Sequence, residues 1–271
     1  MLKTERLDFG KGEELRIARL GKGEPLILLH GYPGNLQIFS RLAPLLAQEY
    51  EVVAFDWPGM GYSPVWKGGT APSQMAKRIL KIMDRLEIER AHLMGQDMGG
   101  QPVLAFAAQH KKRLGKAIVM NSLVQWDAPT SWEIRLLRKL GFNTFALKHF
   151  PRRVFARVEG TFLPQGEKID PEVRKDLWEA FRQRPVRDFI VRMCFGYEAQ
   201  LPRLPKRYAN IDSPLLILWG GKGKHFPLAH AEALAKQVPH AEMEVLENGW
   251  HWMVWQQPEE VAGKMLTFLR K

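Results

Sequence analysis

The chain has 271 residues, 45% of them hydrophobic and 25% charged, enough apolar mass for one large globular core with or without an insert. Its formal net charge of +11 is spread over many segments without a basic tail or an RNA-binding signature, so it reads as a solvated basic surface rather than a nucleic-acid site. The single cysteine, Cys194, excludes an internal disulfide and a cysteine-built metal site; with no Cys-His signature around it, it reads as a packed thiol.

Met1 to Leu20 alternates charged and apolar residues where a leader peptide would be continuously apolar, and no apolar run reaches the roughly 20 residues that span a bilayer. The chain is therefore expected to be soluble and cytoplasmic, without membrane insertion. Leu7 to Leu20 predicts a hairpin turning near Gly10-Lys11-Gly12. Pro25-Leu-Ile-Leu-Leu-His30, Glu51-Val-Val-Ala-Phe-Asp56 and Ala91-His-Leu-Met-Gly95 are short apolar runs that suit strands buried on both faces. Between the last two, Met75, Ile79, Ile82, Met83 and Leu86 recur at helical spacing, with Ser73 as the expected cap. A helix over about 98–110 and a strand over 117–121 follow.

The rhythm then changes. From 122 to about 208 the sequence is amphipathic helix with aromatics and prolines and no strand-like run. Strand and helix alternate again with Pro214 to Trp219, a helix over about 228–237, Glu242 to Leu246, and a helix from Pro258 to Leu269, its proline suited to the first turn. This pattern predicts a core in two segments, 1–121 and 209–271, around one parallel sheet with helices on both faces. A helical cap, 122–208, is predicted to lie over the C-terminal strand ends where such sheets bind ligands.

The chemistry concentrates in three places. Gly95-Gln96-Asp97-Met98-Gly99-Gly100 lies between a predicted strand and a predicted helix, with small residues two before and two after Asp97. That spacing permits the tight turn that lifts a nucleophile clear of a sheet. His30-Gly31-Tyr32-Pro33-Gly34 ends an earlier strand and can supply an oxyanion-hole N–H, and His251 follows the last strand as the expected base. A carboxylate, with an ordinary pKa near about 4, is ionised at pH 7 and attacks without a base. On an acyl group it would form an anhydride; on saturated carbon it forms a stable alkyl ester, which a base-activated water can then cleave.

With His30 to Gly34, Asp56-Trp-Pro-Gly-Met-Gly-Tyr-Ser63, Gly95 to Gly100, Leu218-Trp-Gly220 and His251 through Gln257-Pro258, the chain resembles the α/β-hydrolase superfamily over nearly its whole length. The aspartate at the elbow resembles the branch of epoxide hydrolases and haloalkane dehalogenases. The resemblance implies an α/β-hydrolase fold: a mostly parallel eight-stranded sheet with a helical cap inserted after the sixth strand. It implies a cofactor-free, metal-free enzyme, monomer or homodimer, acting on a small hydrophobic substrate. Asp97 would be the nucleophile, His251 the base of ester hydrolysis, and the backbone N–H groups of Tyr32 and Met98 the oxyanion donors.

Dehalogenases of this family carry Asn after His-Gly and Trp after the nucleophile. Tyr32 and Met98 stand there instead, and the His-Gly-Tyr-Pro loop is more similar to that of epoxide hydrolases. Tyr197 falls where the family's ring-opening tyrosine is expected. No second cap tyrosine is evident, which makes His149 the candidate second proton donor. The pattern fails at the carboxylate that should orient His251, since Gly223 and Asn121 occupy its two usual positions. Three readings follow. Asp127 is displaced into the role, Asn121 orients the imidazole as a neutral partner, or ester hydrolysis is impaired and the chain is a slow enzyme, a covalent trap or a ligand-binding protein. Asp56 is expected to brace its loop, and Trp126 and Trp252 to wall the pocket.

Overall fold

The computed structural model describes residues 1–271. The strands are β1 (Glu5–Asp8), β2 (Glu14–Leu20), β3 (Pro25–Leu29), β4 (Glu51–Phe55), β5 (Ala91–Gln96), β6 (Leu114–Met120), β7 (Leu215–Gly220) and β8 (Glu242–Leu246). They form one sheet in the order β1-β2-β4-β3-β5-β6-β7-β8. β1 and β2 are the predicted antiparallel hairpin, β2 pairs antiparallel with β4, and every later pairing is parallel. Leu26 to Leu29 are fully buried, as their unbroken apolar run requires of a strand covered on both faces.

The helices are α1 (Ala43–Leu46), α2 (Pro72–Arg85), α3 (Gly100–Gln109), α4 (Trp132–Leu137), α5 (Leu140–His149), α6 (Pro151–Phe162), α7 (Pro171–Phe181), α8 (Arg184–Gln200), α9 (Ala229–Gln237), α10 (Met253–Gln256) and α11 (Pro258–Leu269). Five of them, α4 to α8, lie between β6 and β7, where the sequence has no strand pattern. No helix is long and apolar enough to cross a membrane. Ser73 does not cap α2, whose N-cap is Ala71 with Pro72 in the first turn. Instead Ser73 is bonded to α8: its N–H donates to Gln200 Oε1 at 2.7 Å, and Gln200 Nε2 donates to its hydroxyl at 2.6 Å.

The helical segment shares its core with the sheet, since Phe155, Leu177, Phe181 and Phe189 belong to the same buried cluster as the β3 leucines. A buried ionic network adds direction to that apolar contact. Asp176 of α7 accepts two hydrogen bonds from the Arg16 guanidinium, at 3.0 and 2.9 Å, and a third from Asn35 Nδ2 at 2.7 Å. Arg16 also lies 3.5 Å from Asp56. Asp56 braces its loops as expected, its carboxylate accepting the N–H groups of Leu36 and Tyr62. Its complete burial pushes the carboxyl up to about 6 against the opposing pull of Arg16.

Candidate active site

β5 ends at Gln96, and the chain turns through Asp97–Gly99 into α3. Asp97 sits at φ +52, a conformation a side-chain-bearing residue adopts only where the surroundings enforce it. The flanking glycines make the enforcement possible. A Cβ on Gly95 would lie 2.2 Å from the Gly99 carbonyl oxygen, and one on Gly99 would lie 2.2 Å from the Leu29 carbonyl oxygen. The Ser122 hydroxyl donates to the Asp97 carbonyl at 2.6 Å and holds the turn from the β6 side.

The two carboxylate oxygens of Asp97 differ in surroundings. Oδ1 accepts the backbone N–H of Tyr32 at 2.8 Å and that of Met98 at 2.6 Å, the two expected donors. Oδ2 lies 3.2 Å from His251 Nε2, without the alignment of a hydrogen bond. One oxygen therefore occupies a two-donor cradle, and the other faces the imidazole.

His251 is buried among aromatic rings, with the Phe162 centroid at 4.1 Å, Phe226 at 5.5 Å and His225 at 5.9 Å. Asp97 is the only carboxylate within ion-pair distance of it. Asp127 is exposed and makes no contact with His251, so its place on the surface excludes it as a displaced orienting acid. Asn121 does not bond the imidazole either. Its Nδ2 donates to the carbonyls of Trp250 and His251 at 3.1 and 3.0 Å, its Oδ1 accepts the Gly220 N–H at 2.9 Å, and Gln96 Nε2 also bonds the His251 carbonyl. The backbone of His251 is anchored by amides while its ring is held by packing.

Sequence reading missed His225. It is buried against His251, with Nδ1 2.8 Å from the Ser131 hydroxyl. Burial first, and the neighbouring His251 second, lower its pKa to about 4, so the ring is neutral at pH 7. Two residues past Gly223, it lies in the segment where the orienting acid was expected, but a neutral imidazole cannot replace that charge. No sequence motif marks it.

Asp97 opens into a mostly apolar cavity whose walls include Tyr32, Trp126, Asn143, Cys194 and Tyr197. Trp126 is a wall as expected; Trp252 is buried edge-on against Phe162 and does not line the cavity. Tyr197 reaches the cavity from α8, but its hydroxyl donates to the Met98 carbonyl. The Tyr32 hydroxyl is buried and has no hydrogen-bond partner in the chain, as do Gln101 Oε1 and Asn143 Oδ1 beside it. Burial raises the pKa of both tyrosines, and Asp97 and Cys194 act on both hydroxyls in the same direction. Burial also pushes the Cys194 thiol up to about 12, which keeps it protonated and leaves it a wall rather than a nucleophile. His149 is exposed on α5 beside Phe145 and Phe150, outside the cavity, so it is not the second donor.

Residues 24–258 match the family described as "alpha/beta hydrolase fold". The chain is 30% identical over 262 residues to the 2-hydroxy-6-oxo-6-phenylhexa-2,4-dienoate hydrolase of Comamonas testosteroni, covering 93% of this chain and 89% of that protein. The enol-lactonase of Burkholderia xenovorans LB400 superposes with a TM-score of 0.82 at 20% identity, over 96% of this chain and 98% of that one. The epoxide hydrolase CorEH superposes with a TM-score of 0.83 at 16% identity, over 100% and 99%. Likenesses this distant carry the fold alone. The sequence relative is named for a dienoate substrate, so the epoxide-hydrolase branch rests on the elbow aspartate and not on these likenesses. With its fold, its elbow and a family match over most of its length, the chain belongs to the alpha/beta hydrolase fold family.

Proposed function

We propose that this chain hydrolyses small apolar epoxides through an alkyl ester on Asp97, with helices 122–208 as the cap that shapes the pocket. The observation that carries the reading is the division of labour in one carboxylate at the wall of a mostly apolar cavity: Oδ1 is held by two N–H donors, and Oδ2 accepts no hydrogen bond and lies 3.2 Å from His251 Nε2. Oδ2 attacks a ring carbon and the carbon–oxygen bond of the epoxide breaks. The departing oxygen takes a proton from a tyrosine. Tyr32, whose hydroxyl has no partner in the chain, is better placed to give it than Tyr197, whose proton is engaged by the Met98 carbonyl.

His251 Nε2 then removes a proton from water, which adds to Asp97 Cγ. Charge gathers on Oδ1, where the N–H groups of Tyr32 and Met98 already point. Collapse breaks the Cγ–Oδ2 bond, and the leaving oxygen takes the proton held on His251. The new Asp97 carboxylic acid returns its proton to the tyrosine, so a diol that carries Oδ2 is released and every group is restored. The absence of a carboxylate behind His251 favours a second reading of the same site, in which the ester forms and is released slowly.

Incubation with terminal epoxides, 1-haloalkanes and a 2-hydroxy-6-oxodienoate, followed by product analysis and intact mass measurement, tests the proposal. Diol from the epoxides, lost in Asp97→Asn, supports it. A lasting epoxide adduct without diol selects the trap. Cleavage of the dienoate alone overturns both.

A further inference from the structure

Seven large hydrophobic side chains are exposed, and four of them, Trp132, Phe142, Phe145 and Phe150, fall within α4, α5 and the α5–α6 junction, each more than 40% exposed. They are connected in space. Phe145 and Phe150 are 5.8 Å apart between centroids, Arg153 lies over the Phe150 ring at 5.5 Å, and Arg157 over the Trp132 ring at 5.3 Å. Over 132–157 the chain carries seven Lys and Arg residues against one acid, Glu133, which pairs with Arg157. Arg138 turns away to Trp126 in the Asp97 cavity. Arg153 and Arg157, however, lie against the rings, and Arg135, Lys139, Lys148 and Arg152 are exposed in the same helices, so the aromatic face carries an excess of exposed cations.

The face surrounds a mostly apolar groove with Trp132, Phe142, Phe150 and Arg153 among its walls. The groove shares Tyr32, Ile134 and Leu137 with the Asp97 cavity. We infer that the α4–α6 face docks on an anionic lipid surface, burying its aromatic side chains in the headgroup region, with the mouth of the groove turned to the bilayer. Charge decides the occupant. A second copy of this chain would bring the same cationic face against this one, whereas an anionic leaflet matches its sign and accepts its rings. Nothing in this inference depends on which reaction Asp97 performs.

The test is flotation of the full chain with vesicles of phosphatidylcholine, alone or with one third phosphatidylglycerol. Binding is expected only to the anionic vesicles and is expected to weaken in high salt. Lys139→Glu with Lys148→Glu should weaken it at least about 25-fold, since each basic residue near a membrane contributes about fivefold. Phe142→Ser with Phe145→Ser should weaken it about tenfold or more, through lost apolar burial. Lys112→Glu with Lys236→Glu, the same charge change away from the face, should leave binding within about twofold; unchanged melting temperatures confirm that all variants fold. No binding to anionic vesicles overturns the inference. So does equal loss in the two charge variants, which would leave net charge as the only cause, and so does self-association that the aromatic variant abolishes without vesicle binding.

Discussion

Tyr32→Phe removes one oxygen and leaves in place the backbone N–H that holds Asp97 Oδ1. Because that hydroxyl is buried without a partner in the chain, its removal takes away a polar group whose desolvation costs about 1–3 kcal/mol. The variant should therefore melt at or above the parent. Tyr197→Phe differs, because it deletes a hydrogen bond to the Met98 carbonyl worth about 0.5–1.5 kcal/mol. For a chain of this size that lowers Tm by about 2–4 °C per kcal/mol. The kinetic consequence should be larger for Tyr32, since a positioned proton donor contributes typically about 100- to 10,000-fold. Stopped-time intact mass measurement of ester formation on Asp97 reads this directly, with an alkyl halide as the reference because a halide leaves without a proton. Tyr32→Phe should slow alkylation by epoxide at least about 100-fold and leave any alkylation by halide nearly unchanged. A drop in Tm with unaltered epoxide alkylation would refute the reasoning.

Other consequences follow from the same geometry. Gly99→Ala places a Cβ 2.2 Å from the Leu29 carbonyl oxygen, so calorimetry should find it destabilised by at least about 1–3 kcal/mol, with ester formation abolished. Gly223→Asp has an ordinary backbone conformation and a Cβ 3.2 Å from the Gly220 carbonyl oxygen, a contact a small shift relieves. It should accelerate ester release without changing ester formation, since loss of the aspartate from a serine-protease triad costs roughly ten-thousandfold; single-turnover kinetics separate the two steps. Stability should fall as the pH drops below 6.5, measured by denaturant unfolding. His30 and His225 are held down to about 4, so between 6.5 and 4 the unfolded chain binds their protons and the folded chain does not. Each contributes a loss of up to about 1.4 kcal/mol per pH unit. Asp56, raised to about 6, works in the opposite direction between 6 and 3.8. Below pH 6 Asp56 therefore offsets roughly half of the slope that the two histidines alone would give, and the net fall in stability continues toward pH 5.

The strands β3 to β7 were legible because they are buried on both faces and are written as largely apolar runs bounded by turns. The elbow was legible because only small residues tolerate the contacts at Gly95 and Gly99. Ser73 misled as a cap because a sequence window cannot reveal that Gln200, 127 residues away, competes for it. His149 and Asp127 were chosen for residue type, but direction on a helix or loop decides reach, and both point outward. Tyr32 entered only as a backbone donor. That its side chain also reaches the cavity depends on how the helical segment closes over it, through Phe181, Cys194 and α5. His225 carried no signal at all, since a lone histidine acquires meaning only from the ring beside it.

The central claim is that an oxygen of Asp97 becomes an oxygen of the product. Reaction of a terminal epoxide with excess protein in oxygen-18 water, followed by mass analysis of the diol and of the peptide containing Asp97, tests it most directly. An unlabelled diol and one oxygen-18 in the Asp97 carboxylate are expected. A labelled diol with an unlabelled Asp97 peptide would mean that water attacked the epoxide itself, and would contradict it.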